Sequence, residues 1–255
     1  MGRPEKPVDR TVPARAKLAD FLRERKAAAG LTYEQMAARA RPPRSKATFE
    51  RAGAGARVPS LGTVYAAIQV TVTDEERRND KWLTNAYYRG KNLWLGARRA
   101  TRAPYYVYKA PDPNLIASEA DLSRLLRNQH VWAGAPSPRE MARVSSAWLL
   151  PPSTSRRIIA GDTLPVDPQQ TIAFLYACSV DDPTALGPWL DAAVRARKDS
   201  GRSTSEWLRA RQGINELVNV FHDRTMRVLL FRDLPYEIFE KLYRGGLERR
   251  SAQLE

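Results

Sequence analysis

The spacing of apolar residues predicts a protein built from short amphipathic helices. Leu18, Phe21 and Leu22 fall at positions i, i+3 and i+4, and the same spacing recurs between Leu122 and Leu126. Each of these two segments ends on a glycine, Gly30 or Gly134, which is the residue most often found where a helix stops. The pattern therefore predicts an all-α fold with little or no strand.

The two halves of the chain share an ordered series of features at an offset that drifts from 104 to 107 residues. The pairs are Leu18 to Gly30 with Leu122 to Gly134, Met36-Ala37 with Met141-Ala142, Thr48…Arg51 with Thr154…Arg157, Gly55 with Gly161, Pro59 with Pro165, and Trp82-Leu83 with Trp189-Leu190. An ordered series of this kind predicts a tandem repeat, each copy a bundle of about five short helices.

This repeat predicts five segments. They are a flexible basic arm (1–13), a first helical domain (14–86), a basic aromatic linker (87–117), a second helical domain (118–199) and a C-terminal helical segment (200–255).

The charge of the chain indicates a polyanionic partner. Lys and Arg number 42 against 28 Asp and Glu, a formal net charge of +14, of which +13 lies in the first 110 residues. A surplus of this size is typical of proteins that bind nucleic acid. A single cysteine, Cys178, excludes a disulfide framework and a cysteine-based zinc site. We therefore expect no metal, no cofactor and no catalysis.

No segment approaches 18 consecutive apolar residues, so no membrane span is expected. The start of the chain lacks the apolar stretch of a secretory signal. We therefore expect a cytoplasmic, nucleoid-associated protein.

The first copy resembles a helix-turn-helix of the Cro/CI type, the XRE family. The resemblance rests on Leu31 to Ala37 (LTYEQMA), Ser45 to Arg51 (SKATFER), Gly55 and Pro59-Ser60, and the opening GRPEKP is similar to the start of many such regulators from GC-rich bacteria. It covers residues 14–86 well and 118–197 weakly. The Arg41-Pro42-Pro43-Arg44 turn is about two residues longer than is usual for this family.

The resemblance implies a protein that binds double-stranded DNA with one helix in the major groove. Transferred position by position, it implies base contacts from Lys46, Ala47, Thr48 and Arg51, on a helix capped by Ser45 with Phe49 in the core. It implies backbone contacts from Thr32, Tyr33, Ser45 and Arg57.

The second copy departs further from the family pattern. Pro151-Pro152 open its groove helix, and Ser155 stands where the first copy has Phe49, so Ile158 or Ile159 must fill the core. Two interpretations stay open: this copy reads DNA through Ser153, Thr154, Arg156 and Arg157, or it is a degenerate copy kept for packing or for a protein partner.

The segment 87–110 carries six basic residues, several aromatic residues and no acid. Arg98, Arg99 and Arg102 suit contact with the DNA backbone, and the alternative is a linker whose aromatic residues pack back on the bundles. In the C-terminal segment, Trp207, Ile214, Phe221 and Val228 recur every seven residues. Such a stripe either packs on its own protein or joins two copies of the chain in a homodimer.

Two functional hypotheses follow. The first is a sequence-specific transcriptional regulator that reads the major groove with the third helix of the first domain, and of the second domain if it also binds DNA. The second is a DNA-anchored assembly protein for replication, plasmid or chromosome-end maintenance, in which the second domain and the C-terminal helices bind a protein partner.

Overall fold

The computed structural model describes residues 5–78, 80–145 and 147–223. All regular structure in these ranges is helical, and they contain no strand, which confirms the predicted all-α fold. Contacts divide the chain into two compact units, residues 1–103 and 104–255. Each unit is described by itself.

The described residues of the first unit form a bundle of six helices. Its helices are α1 (Pro13–Ala28), α2 (Tyr33–Arg39), α3 (Lys46–Ala54), α4 (Leu61–Val70), α5 (Asp74–Arg77) and α6 (Asp80–Arg102). Phe21 from α1, Met36 from α2, Phe49 from α3 and Ile68 from α4 are all buried in its core. The stop signal predicted at Gly30 is confirmed, because this residue has the left-handed φ of +63° that glycine adopts without strain.

The chain before α1 lies against the bundle instead of forming the flexible arm that was expected. The Asp9 amide donates to the Ala54 carbonyl oxygen at 2.9 Å, and the Arg10 guanidinium forms two hydrogen bonds of 3.1 Å with the Asp20 carboxylate. Gly55 ends α3 with φ +74°, and a methyl group there would lie 3.1 Å from the Asp9 carbonyl oxygen. Residues 5–12 are thus tied to α1 and to the end of α3.

Helix α6 changes the predicted boundary of the first domain. It runs through residues 87–102, which were expected to be linker, and packs on α1 and α4. Tyr87 and Trp94 lie one heptad apart and are buried, and the Trp94 indole nitrogen donates to the Pro59 carbonyl oxygen at 2.8 Å. The first unit therefore ends at Ala103, and Tyr87 and Trp94 are core residues while Tyr88 is exposed.

The second unit begins with a short 3₁₀ turn (Pro113–Leu115). Its helices are α7 (Glu119–Trp132), α8 (Pro138–Ser145), α9 (Pro152–Ala160), α10 (Pro168–Ala177), α11 (Pro183–Asp199) and α12 (Ser205–Asp223). Ile158 is buried where Ser155 is too small to fill the core, which confirms one of the two residues expected there. Cys178 is buried, and this burial raises the pKa of its thiol.

The C-terminal stripe begins as part of this core. Trp207 and Ile214 on α12 are buried where α12 packs on α11, and the Arg197 guanidinium lies 4.5 Å from the centre of the Trp207 ring. These two residues therefore pack within their own unit, as one of the two interpretations expected. The side chain of Phe221, together with Val228, lies outside the described residues.

Candidate functional site

Helices α2 and α3 form a helix-turn-helix in which both helices begin at a capped end. The Thr32 hydroxyl oxygen accepts from the Gln35 amide at 3.2 Å, and the Gln35 side chain accepts from the Thr32 amide. The Ser45 hydroxyl oxygen accepts from the Thr48 amide at 3.2 Å, so the predicted cap of α3 is confirmed. The capped end fixes where α3 starts and which face it presents.

Helix α3 has one buried face and one exposed polar face. Phe49 is 1% exposed and holds the helix on the core. Lys46, Ala47 and Arg51 are exposed, and Thr48 is half-buried with its hydroxyl 2.9 Å from that of Ser45. The structure therefore brings together on the outer side of α3 the four residues predicted to contact bases.

The exposed basic residues of this face have few internal partners. The Arg51 Nε donates to the Ala47 carbonyl oxygen at 3.1 Å within the same helix, and the Lys46 Nζ lies 3.8 Å from a carboxylate oxygen of the exposed Glu34. Contacts of this kind between exposed groups contribute little to stability. The side chains are therefore free to exchange them for partners on a ligand.

Of the four backbone contacts that the resemblance implies, three are also exposed: Thr32, Ser45 and Arg57. The fourth, Tyr33, is half-buried, and its hydroxyl donates a hydrogen bond to the Glu5 carboxylate. Burial and the nearby Glu5 carboxylate raise the pKa of Tyr33. Sequence reasoning did not find Glu5, because no periodic pattern connects positions 5 and 33.

Sequence reasoning also left out the start of α4. Ser60 is exposed and caps this helix, accepting from the Thr63 amide at 3.1 Å. Gly62 follows in the first turn, and a methyl group there would lie 3.5 Å from the Arg44 guanidinium, an ordinary van der Waals contact. A hydroxyl residue just before an apolar run is a signal for a helix start and could have identified this end.

Of the arginines predicted to contact the backbone from the linker, Arg98 does not point to solvent. It is 5% exposed, and its guanidinium lies 4.7 Å from the centre of the Trp94 ring, because residue 98 is on the same side of α6 as that core tryptophan. Arg99 is half-buried, and Arg102, in the last turn of α6, is exposed.

The corresponding surface of the second unit differs in chemistry. Ser153, Arg156 and Arg157 are exposed on α9, and Thr154 is half-buried. Helix α9 begins after Pro151, which provides no side-chain cap. The loop that follows carries the exposed Asp162, and the half-buried Asp167 caps α10. In the first unit Ala56 follows the glycine that ends α3, as Asp162 follows Gly161, and Ser60 caps α4, as Asp167 caps α10.

Comparison with known proteins supports the assignment of the first unit. Residues 17–80 match a family model described as a helix-turn-helix domain. No curated protein and no solved structure matches the chain. The match begins inside α1, extends through α5 and includes the capped face of α3. It therefore supports DNA as a partner of this part of the chain.

Two further findings concern the described residues alone. They contain no helix that is long and apolar enough to cross a membrane. They also contain no group of three or more His, Cys, Asp or Glu side chains placed to hold a metal ion.

Proposed function

We propose that this protein is a sequence-specific transcriptional regulator that binds double-stranded DNA with α3 in the major groove. The observation that carries the proposal is the exposed face of α3, where Lys46, Ala47 and Arg51 stand on a helix fixed by the Ser45 cap and by Phe49. Arginine and lysine donate to the guanine acceptors of the major groove, and an alanine methyl group suits the thymine methyl.

The contacts to the DNA backbone would come from residues on either side of α3. Thr32 stands at the start of α2, and Arg57 and Ser60 stand between α3 and α4. All three are exposed. Backbone contacts of this kind fix the register of the reading helix without carrying sequence information.

The proposal extends to a duplicated fold of the XRE type. Helices α1 to α4 have 16, 7, 9 and 10 residues, and α7 to α10 have 14, 8, 9 and 10. Gly55 and Gly161 end α3 and α9 in the same left-handed conformation, with φ of +74° and +89°. These agreements support a common origin for the two units.

A second candidate function gives the second unit a different role. In it, the first unit anchors the protein to DNA for replication, plasmid or chromosome-end maintenance, and the second unit binds a protein. Asp162 and Asp167 favour this candidate. In the proposed docking of the first unit, a phosphate approaches the start of α4. A phosphate that approached the start of α10 in the same way would be repelled by these two carboxylates.

Selection from a pool of random duplexes tests the first proposal. We expect the full chain to enrich one sequence motif, and genome-wide binding to place that motif in promoters whose transcripts change when the protein is removed. Recovery of duplexes without a common motif would contradict sequence-specific binding.

The double variant Arg156→Ala/Arg157→Ala distinguishes the two roles of the second unit. If α9 reads DNA, the variant should shorten the protected footprint and weaken binding to the selected duplex. An unchanged footprint and affinity would favour the assembly role.

A further inference from the structure

A cluster of side chains at the start of α2 surrounds the Glu5 carboxylate. The Lys26 Nζ lies 2.8 Å from one carboxylate oxygen, the Arg23 Nε lies 3.0 Å from the other, and the Tyr33 hydroxyl donates to it. Burial of Glu5 acts to raise its pKa, but the hydrogen bonds from Lys26 and Tyr33 outweigh this effect and lower the pKa. The carboxylate is therefore an anion at neutral pH.

The groups around this anion are held in place by contacts of their own. The Lys26 ammonium lies 4.3 Å from the centre of the Tyr33 ring. The Arg23 guanidinium donates to the Gly53 carbonyl oxygen at 2.7 Å and to the Lys6 carbonyl oxygen at 2.6 Å. Two cations and a phenol hydroxyl thus form an ordered anion site that touches the last turn of α3.

The site is covered by the chain segment that supplies its anion. The side chains of Lys26 and Arg23 are only 18% and 22% exposed, and that of Glu5 is 31% exposed. If Glu5 moved away, the three donors would face solvent beside Thr32, at the end of α2 that faces the DNA backbone in the proposed docking. A carboxylate therefore sits where a phosphate would be bound.

We propose that Glu5 occupies a DNA phosphate site in the free protein, and that a backbone phosphate displaces it when the protein binds DNA. This inference rests on the proposed DNA-binding function. The displacement exchanges one anion for another on Arg23, Lys26 and Tyr33, so the charge of the two cations stays compensated throughout. The site would accept any nucleic-acid phosphate and would therefore add affinity without adding sequence preference.

The rest of the segment does not need to move. The Asp9 amide remains bonded to Ala54, and Arg10 remains bonded to Asp20, when Glu5 leaves. The exchange is thus a local opening of residues 5–7, in which the contacts of Glu5 and the bond from Arg23 to Lys6 are lost while Val8 stays beside Gly55. Because the Glu5 carboxylate is tethered to the protein, it competes with the DNA phosphate and lowers the apparent affinity of the protein for DNA.

The first test compares Glu5→Gln with Asp20→Asn in the full chain. Glu5→Gln removes one negative charge and a partner of Arg23. Asp20→Asn also removes one negative charge, together with a partner of Arg10, but only Glu5→Gln removes the anion from the phosphate site. We expect Glu5→Gln to tighten binding about three- to tenfold on selected and on random duplexes. The slope of log affinity against log salt should change by less than about one unit, because both proteins make the same phosphate contacts once they are bound. Asp20→Asn should change affinity less than twofold.

The second test adds Tyr33→Phe to Glu5→Gln, which removes the hydroxyl without a further change of charge. In the wild-type protein the hydroxyl donates to Glu5 before the exchange and to the phosphate after it, so only the Glu5→Gln background isolates the phosphate contact. We expect Tyr33→Phe to weaken DNA binding of the Glu5→Gln protein about threefold or more, because the phosphate loses a donor while no carboxylate competes. A Glu5 contact that serves only to hold the fold together predicts no such loss. Thermal unfolding of each variant, together with the charge-conserving Glu5→Asp, separates loss of folded protein from loss of affinity.

Three results would overturn the inference: weaker binding by Glu5→Gln, equal effects of Glu5→Gln and Asp20→Asn, or a salt slope that becomes steeper by about one unit, which would show that no phosphate occupies the site in the wild-type complex. If the wild-type protein binds no duplex at all, the proposed function fails together with the inference. If it binds DNA and the variants behave in one of these three ways, only the inference fails.

Discussion

Arg51→Ala is the substitution that should separate specific from nonspecific DNA binding. The Arg51 side chain is exposed, and its one hydrogen bond within the described part of the chain runs to Ala47 in the same helix. Its removal should therefore change the free energy of unfolding by less than about 0.5 kcal/mol. A bidentate contact from arginine to guanine contributes about 1–3 kcal/mol of discrimination. The dissociation constant for the selected duplex should rise roughly 5- to 150-fold.

The measurement is fluorescence anisotropy with the selected duplex and with a scrambled duplex of the same composition, at several salt concentrations. Arg57→Ala is the matched control, because it removes an exposed arginine of the same domain that we assign to the backbone. It should weaken both duplexes equally and make the salt slope about one unit shallower. Equal losses on both duplexes for Arg51→Ala would refute its role in reading bases.

Three further predictions concern the stability of the first unit, measured by denaturant unfolding of the full chain. Phe49→Ala should lower the free energy of unfolding by about 3–5 kcal/mol because it empties a buried site. A loss as small as that of a substitution at an exposed position would contradict the packing. Glu76→Gln should cost about 3 kcal/mol, since it leaves Arg25 buried without its charge partner. The hydrogen bond from Arg25 lowers the pKa of Glu76 in the folded protein. The stabilisation from this pair is therefore fully present above the pKa that Glu76 has in the unfolded chain, and it is lost as the pH falls through the pKa of Glu76 in the folded protein. A wild-type free energy of unfolding that does not fall in this acidic range would argue against the pair. Gly55→Ala should cost about 2 kcal/mol and Gly30→Ala about 1 kcal/mol, because both have positive φ but only Gly55 has close neighbours; equal costs would show that the neighbours relax.

Features that depend on neighbouring positions could be predicted from the sequence. Ser45 caps α3 because a hydroxyl residue precedes a helical pattern, and Gly30 and Gly134 end helices because both have positive φ. Ile158 could be expected in the core because it lies three positions after the undersized Ser155 on the same helix. Each of these inferences uses only the period of a helix and the chemistry of its ends.

Features that depend on distant partners could not be predicted. Glu5 meets Tyr33 across 28 positions and Lys26 across 21, and nothing in the local pattern connects them. Helix α6 was missed for a different reason: the density of basic and aromatic residues in 87–102 concealed the spacing of Tyr87 and Trp94, which is that of a buried helix face. A search for this spacing would have extended the first domain to Arg102.

The contact between Tyr33 and Gly53 has a consequence for retargeting this protein. A side chain at position 53 would collide with the Tyr33 hydroxyl, which is bonded to Glu5, so this position can tolerate very few residue types. Lys46, Ala47 and Arg51 have no such neighbour and can vary without disturbing the fold. A combinatorial library for new DNA sites should therefore randomise the first six residues of α3 while keeping Phe49, and leave its C-terminal end as it is.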